Sequence, residues 1–417
     1  MKNILIISPA SIQKNMSGPS IRYWEISKEL SKYHNIVLLV PNDDFLENKD
    51  ITIAKITFSS LVKYLKKCDV VLLQGLTLWK YPFIKYFNKA IAIDLYDPFH
   101  LENLEGLGNN ISSKIKYSTT LAVLKEQLLR GDFFYCASEK QKDYWLGMLS
   151  TQRINPLLYN KLDRNISNLV GIVPFGIPEY VPEKTENRVL KGKYPNIGED
   201  DKVIIWGGGI WDWLDPETLI KAMAIVKENR LDIKCFFMGV KPPIGKEPDK
   251  LKKLLQLRSD LKLEDTIYFN DWVEYEKRSD YLLEADIGIS LHENHLETRF
   301  SYRTRLLDYI WCKLPIIASE GDVFSEIIKK NNLGTVVEPK NETETAHEII
   351  TMLQKSKDDY YNNYNYYSFS WSNAVKDLLA FCEKPRRVSF RFKFFMELKL
   401  FFWRLIYLSV RIYQRRS

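Results

Sequence analysis

The sequence predicts an α/β protein of two parallel-sheet domains, and three observations carry the prediction. Short apolar runs rich in Val and Ile alternate with stretches of helical length. The runs are continuous over four to six residues, as in strands covered on both faces. The series stops at a proline-rich stretch and then restarts. With 417 residues, 45% of them hydrophobic and 27% charged, the chain has the length and composition for two ordinary cores. The expectation is two Rossmann-like domains facing one another, over 1–175 and 201–357.

The first series is Ile4–Ile7, Ile36–Val40, Val70–Leu73, Ala90–Ile93, Phe133–Cys136 and Val170–Val173. Its opening run is too short for a secretory leader and suits a buried first strand. In open parallel sheets, ligands bind at the loops leaving the carboxyl ends of the strands. The loop from Ser8 to Arg22 enters a helix through Gly18, which makes Gly18 and Arg22 candidates; a plain helix cap is the simpler reading. The stretch AIDLYDPFHLE (92–102) ends a strand in Asp94, Asp97 and His100. Acids at such a strand end suit catalysis, with helix capping by Asp97 ahead of Pro98 as the alternative.

Residues 176–200 read as a linker, with Pro178, Pro182 and Pro195 and no periodicity. The second series is Val203–Trp206, Ile233–Met238, Thr266–Phe269, Ile287–Leu291, Ile316–Ala318 and Thr335–Val337. Its first strand runs into VIIWGGGIWDWLDPETL (203–219). Three consecutive glycines let backbone N–H groups approach a phosphate, and Asp215, Pro216 and Glu217 read as the start of a helix. The dinucleotide fingerprint fails because position 212 is Asp, and no Gly-Lys-Ser/Thr follows for a P-loop. A tight turn with two packed tryptophans is the alternative.

The stretch HENHLETRFSYRTRLLDYIWCKLPIIAS (292–319) places Arg299, Arg303 and Arg305 at a helix start and Asp308 within an apolar helix. Guanidinium forks suit phosphate, and a carboxylate can accept both hydroxyls of a ribose. The alternative is a solvated face with Asp308 in a salt bridge. His292 and His295 lack a third histidine for a metal site. The five cysteines are scattered without a C-x-x-C pair, which fits a reducing compartment. No D-x-D occurs, so a metal-bridged diphosphate site of that type is not encoded.

These motifs, in this order and over roughly 1–380, resemble retaining glycosyltransferases of GT-B type, specifically family 4 (glycosyl transferases group 1). VPFGIP (173–178) resembles the family's interdomain junction, and VIIWGGGI and FFMGV (236–240) its first two C-domain strands and turns. IYFNDWVEYEKRSDYLLEADIGISL (267–291) is similar to its base-binding loop, and RLLDYIWCKLPIIAS to its L-L-E-A-M-A-x-G-x-P-V-I-A-[ST] segment. The resemblance implies a nucleotide-diphosphate sugar held mainly by the C-terminal domain. Asp308 stands at the ribose-binding glutamate, and Trp272 and Val273 stand where the base is held. The implied donor-binding set is Gly18, Gly208, Gly209, Trp211, Gly239, Trp272, Val273, Ser301, Tyr302 and Asp308. The catalytic set is Asp94, Asp97, Glu297, Arg303 and Arg305.

The chain departs from the family at several positions. The family's first glutamate would fall on Phe300, with Glu297 nearby. The usual Arg and Lys of the glycine turn are replaced by Trp211 and Asp212, and Arg303 and Arg305 are expected to supply the missing cations. The N-domain histidine has no match, with Asp94 to Asp97 in its neighbourhood.

Residues 358–383 are expected to return to the N-domain. From 384 to 417 the chain has ten Lys or Arg against Glu397, a net of +9, which leaves about −2 of the total +7 for 1–383. A near-neutral body argues against nucleic acid as a partner. Phe394, Leu398, Phe401, Leu405, Leu408 and Ile412 form one helical stripe, with Lys393, Arg404, Arg411 and Arg415 beside it. The uncharged run Leu405–Val410 is too short to span a bilayer, so the tail reads as a basic amphipathic helix lying on an anionic leaflet. Packing on the body or on a partner is the alternative.

The resulting expectation is a cytoplasmic enzyme, peripheral on the inner face of the cell membrane and needing no metal or cofactor. It would move a sugar to a glycan or lipid-linked acceptor in surface polysaccharide biosynthesis. The rivals are a non-catalytic nucleotide-sugar-binding subunit and a GT-B epimerase.

Overall fold

The computed structural model describes residues 1–387 apart from 75, 155, 163, 186, 187, 243–247 and 363, together with 398, 401–406, 408 and 409. These residues form thirteen strands in two sheets with parallel pairing throughout, most of them joined by helical crossovers. The first sheet holds β1 (Asn3–Ile7), β2 (Asn35–Val40), β3 (Ile51–Lys55), β4 (Val70–Gln74), β5 (Ala90–Asp94), β6 (Phe133–Cys136) and β7 (Val170–Ile172), in the order β3-β2-β1-β4-β5-β6-β7. The second holds β8 (Lys202–Trp206), β9 (Ile233–Phe237), β10 (Ile267–Phe269), β11 (Ile287–Ser290), β12 (Ile316–Ser319) and β13 (Gly334–Val337), in the order β10-β9-β8-β11-β12-β13. The winding direction reverses beside β1 in one sheet and beside β8 in the other. Ligand crevices form at such switch points.

Twelve of these strands coincide with the apolar runs; β3 was not predicted. Its sequence, ITIAK, buries Ile51 and leaves the rest half-buried or exposed, as an edge strand does. An edge strand needs no continuous apolar run, so that signal was absent. Every residue of β4 and β5 is buried. Leu73, Ile93, Phe134 and Trp145 belong to the core of this sheet, where each such side chain contributes about 1.5–3 kcal/mol.

The chain divides into two compact units. One comprises Met1–Ile12, Arg22–Pro174 and Ala374–Ser417, and the other Gln13–Ile21 with Phe175–Asn373. The return to the first unit therefore starts at Ala374, later than the expected 358, because Ile177 and Ser370 bridge and Phe175 packs on Trp371 within the second. Much of the stretch expected to be a linker is also held there. The Glu284 carboxylate accepts the backbone N–H groups of Val189, Leu190 and Lys191 at 2.6–3.1 Å.

In the tail, residues 401–406, 408 and 409 are helical. Phe394, Ile412, Lys393, Arg411 and Arg415 of the expected stripes lie outside the described residues. Among the described residues no helix is long and apolar enough to cross a membrane.

Candidate active site

The site begins where β8 ends. The chain leaves Trp206 through Gly207–Gly209, with Gly208 at φ +81°, a left-handed conformation that favours glycine. It then reaches Asp215, which caps the helix Pro216–Asn229 as the sequence suggests. Its two carboxylate oxygens accept the Thr218 N–H at 3.0 Å and the Thr218 hydroxyl at 2.6 Å. The turn is held by Tyr309, from the helix Thr304–Trp311. Its hydroxyl accepts the Gly207 N–H at 2.7 Å and lies 3.2 and 3.0 Å from the carbonyls of Ile205 and Ile289. The ring lies on β11 because position 288 is glycine; a Cβ there would come within 2.6 Å of it. Burial pushes the phenol pKa up, so Tyr309 stays a neutral hydroxyl tying β8 to β11.

Arg305 reaches the same turn. Its Nη2 donates to the Gly209 carbonyl at 2.7 Å, and the guanidinium lies 4.8 Å from the centre of the Trp206 ring. Nη1 is buried without a hydrogen-bond partner, and no described carboxylate pairs with this arginine. Burial lowers its pKa to about 10, which still leaves it charged at neutral pH. A buried cation with an unsatisfied donor is costly until an anion arrives.

Arg303 differs. Its Nη1 and Nη2 donate to the two Glu297 oxygens at 3.0 and 2.7 Å, and both side chains are buried. Arg303 is thus already neutralised, and Glu297 is not a free acid. The pair closes the short connection between the helix Leu296–Phe300 and the next one. Of the two arginines the sequence suggested as replacements for the cations missing from the glycine turn, Arg305 reaches the turn and Arg303 does not.

Asp308 lies one turn further along and is partly exposed. Its Oδ1 accepts from Arg278 Nε at 2.9 Å. Arg278 also donates to the Tyr275 carbonyl at 2.7 Å and is flanked by the rings of Tyr275 and Trp311 at 3.9 and 4.5 Å. Burial opposes its charge, but Tyr275 and Asp308 outweigh burial and raise its pKa. The carboxylate is therefore fixed through one oxygen, and Arg278 is its positioning residue.

The other expected donor residues occupy neighbouring loops. Trp272 covers Gly239, whose Cβ would meet the indole at 2.8 Å, and Val273 beside it is half-buried. Trp211 lies against Gly209 and stacks on Trp213 at 5.9 Å. The Ser301 hydroxyl donates to the Thr298 carbonyl, and Tyr302 packs edge-on against Phe324 at 4.8 Å. His295 caps its helix, with Nδ1 accepting the Thr298 N–H and Nε2 on the Trp213 carbonyl. His292 is buried with Nε2 3.5 Å from Asp322. The two histidines serve separate local structures.

Gly18 opens the helix Gly18–Ser31, and a Cβ there would meet nothing within 4 Å. In the first unit, Asp94 is buried and accepts Arg22 Nε and Nη2 at 2.7 and 3.1 Å. Both residues were expected at the ligand edge; instead they form a core ion pair under the rings of Tyr96 and Tyr135. Asp97 is partly exposed and accepts the Gln74 amide at 3.2 Å, while Pro98 takes the N-cap position with no side-chain cap bond. His100 is buried against Tyr144, its Nε2 bonded to the Tyr144 hydroxyl.

Sequence reading missed Tyr309, Arg278 and Trp206. The only available signal was a polar-tipped Tyr309 inside an apolar helix; the Arg278–Asp308 pairing spans thirty residues with no motif.

Residues 191–371 match the family described as "Glycosyl transferases group 1". The chain is 24% identical over 165 residues to a chitobiosyldiphosphodolichol beta-mannosyltransferase of Yarrowia lipolytica, a match covering 38% of this chain and 33% of that protein. It therefore spans about a third of that relative's length. Its fold is similar to a sucrose-phosphate synthase from Thermosynechococcus elongatus, with TM-score 0.63 and 15% identity over 100% of this chain and 99% of the other. It is also similar to HepE of Anabaena, solved in complex with UDP-glucose, with TM-score 0.62 and 12% identity over 91% and 95% of the two chains. The architecture is GT-B.

Proposed function

We propose that this chain, which carries a glycosyl transferases group 1 domain over residues 191–371, transfers a sugar from a nucleotide-diphosphate sugar to a glycan or lipid-linked acceptor. The observation that carries the reading is Arg305: a buried guanidinium at a glycine turn, with one unsatisfied donor and no carboxylate. A diphosphate at the turn satisfies both its charge and its open N–H. The interaction strengthens as the leaving diphosphate gains charge, which is how fixed cations accelerate group transfer. Asp308, oriented by Arg278, is assigned to the ribose, and the loop holding Trp272 and Val273 to the base. Retention of anomeric configuration and a role in surface polysaccharide assembly rest on the resemblance, and independence of metal rests on the arginine cation and the lack of a D-x-D motif. The basic tail suits an anionic membrane surface on the cytoplasmic side, where lipid-linked acceptors would be met.

A non-catalytic nucleotide-sugar-binding subunit is the second reading. It is favoured by the commitment of Glu297 and Asp94 to buried arginines. Thermal-shift titration with a panel of nucleoside diphosphates tests binding, since a ligand of the native state raises Tm by mass action. No shift with any of them, or an equal shift in Arg305→Ala, defeats the assignment. Release of free sugar from a stabilising donor separates enzyme from binding subunit.

A further inference from the structure

We propose that the described part of the tail is a fixed foot for an anionic membrane surface, seated on the first unit through Arg404 and Glu126 so that its apolar side faces outward. The inference rests on the membrane reading above and adds a built seat to it. Glu126 lies on the helix Ile111–Arg130 and is 1% exposed. A carboxylate so placed needs a cation, and the tail supplies one. Arg404 Nη2 lies 2.8 Å from each Glu126 oxygen, with Lys85 Nζ at 3.9 Å. The Arg404 guanidinium also lies 4.9 Å from the centre of the Trp79 ring, and Trp403 packs into the cluster of Trp79, Ala122 and Val123. These contacts fix the rotation of the helical segment about its axis, not merely its attachment.

Opposite the seat, Leu398, Phe401, Phe402, Leu405, Ile406 and Leu408 are 40–57% exposed. Their spacing of three and four keeps them on one side of a helix, away from Trp403 and Arg404. This face offers hydrocarbon and aromatic rings. It belongs to a segment, 384–417, with ten basic residues and one acid. Apolar rings within a cationic segment complement the interface of an anionic leaflet. The seat turns this face outward before any membrane is met, so the first unit is recruited in a single orientation.

Environment-sensitive labels on introduced cysteines test this in the full chain, because the five native cysteines are all buried. Labels at Phe401→Cys and Leu405→Cys should shift to the blue on phosphatidylcholine vesicles containing phosphatidylglycerol, and not on phosphatidylcholine alone. A label at Trp403→Cys should not shift. As that substitution could itself loosen the seat, trypsin cleavage after Arg404 gives a second readout with native Trp403. It should be slow in the wild type and roughly tenfold faster in Glu126→Gln, as expected when a protected site opens. No shift at 401 or 405 overturns the membrane reading and the foot with it, including the case where a protein partner covers this face. An unchanged cleavage rate in Glu126→Gln, with or without equal shifts at 401, 403 and 405, leaves membrane contact standing and overturns the seat.

Discussion

Arg303 and Arg305 are two residues apart and do opposite things, one closing a core ion pair and the other waiting for a charge. Arg305→Ala should lower kcat by about two orders of magnitude and weaken donor binding less, because its partner is the developing charge of the leaving group. Steady-state kinetics across donor concentrations reads the split; a change confined to KM would make Arg305 a ground-state contact only. Arg303→Ala should instead lower stability by about 3–5 kcal/mol, since it strands the buried Glu297 carboxylate. Denaturant unfolding checks this, and the double variant with Glu297→Ala should recover part of the loss. Asp308→Ala should weaken nucleoside diphosphate binding by about 2–4 kcal/mol with the fold intact. If calorimetry finds its Kd unchanged, the ribose lies elsewhere.

Between residue and sheet stands the Tyr309 tie across the ends of β8 and β11. Gly288→Ala pushes a methyl group into the Tyr309 ring and should cost about 1–3 kcal/mol. The same crowding disturbs the Gly207–Gly209 turn, so nucleotide affinity should fall along with Tm; a loss of stability with unaltered affinity would uncouple the tie from the turn. Elements of this kind also mark the limit of what the sequence discloses. Continuous apolar runs announced twelve strands because burial on both faces writes itself into composition, and Asp215-Pro216 announced a helix start. The edge strand β3 escaped because a half-exposed strand carries no such run. The site was legible as loops but not as pairings. Nothing local distinguishes an arginine held by Glu297 from one left without an acid, or shows that Asp94 meets Arg22 across seventy-two residues.

For the molecule as a whole, pH should bear on stability through its buried neutral histidines. Burial lowers the His100 pKa from 6.5 to about 4, and burial lowers that of His34 too. Well above pH 6.5 both rings are neutral in the folded and unfolded chain, and no penalty arises. Between about 6.5 and 4 the unfolded chain takes up the His100 proton while the folded one does not, so stability falls as pH falls. His100 accounts for about 3 kcal/mol of that loss, which levels off below pH 4. His100→Phe, which keeps the stacking on Tyr144, should flatten this limb in a Tm-against-pH series. An unchanged limb would assign the acid sensitivity to other groups.

The division of the chain also sets a schedule for its making. The first unit is not complete until the helix Lys376–Glu383 arrives: Asp377 accepts the Ile172 N–H of the edge strand β7, and Phe381 stacks on Phe133 at 4.6 Å. The intervening stretch, Phe175–Asn373, folds into the other unit. A ribosome adding about 5–20 residues per second needs roughly 10–40 s to cross it. For that interval the nascent chain displays an uncovered β7 edge and the bare Phe133 ring. The part of the protein made first is thus finished last, and a pause within residues 175–373 would prolong its exposure to chaperones.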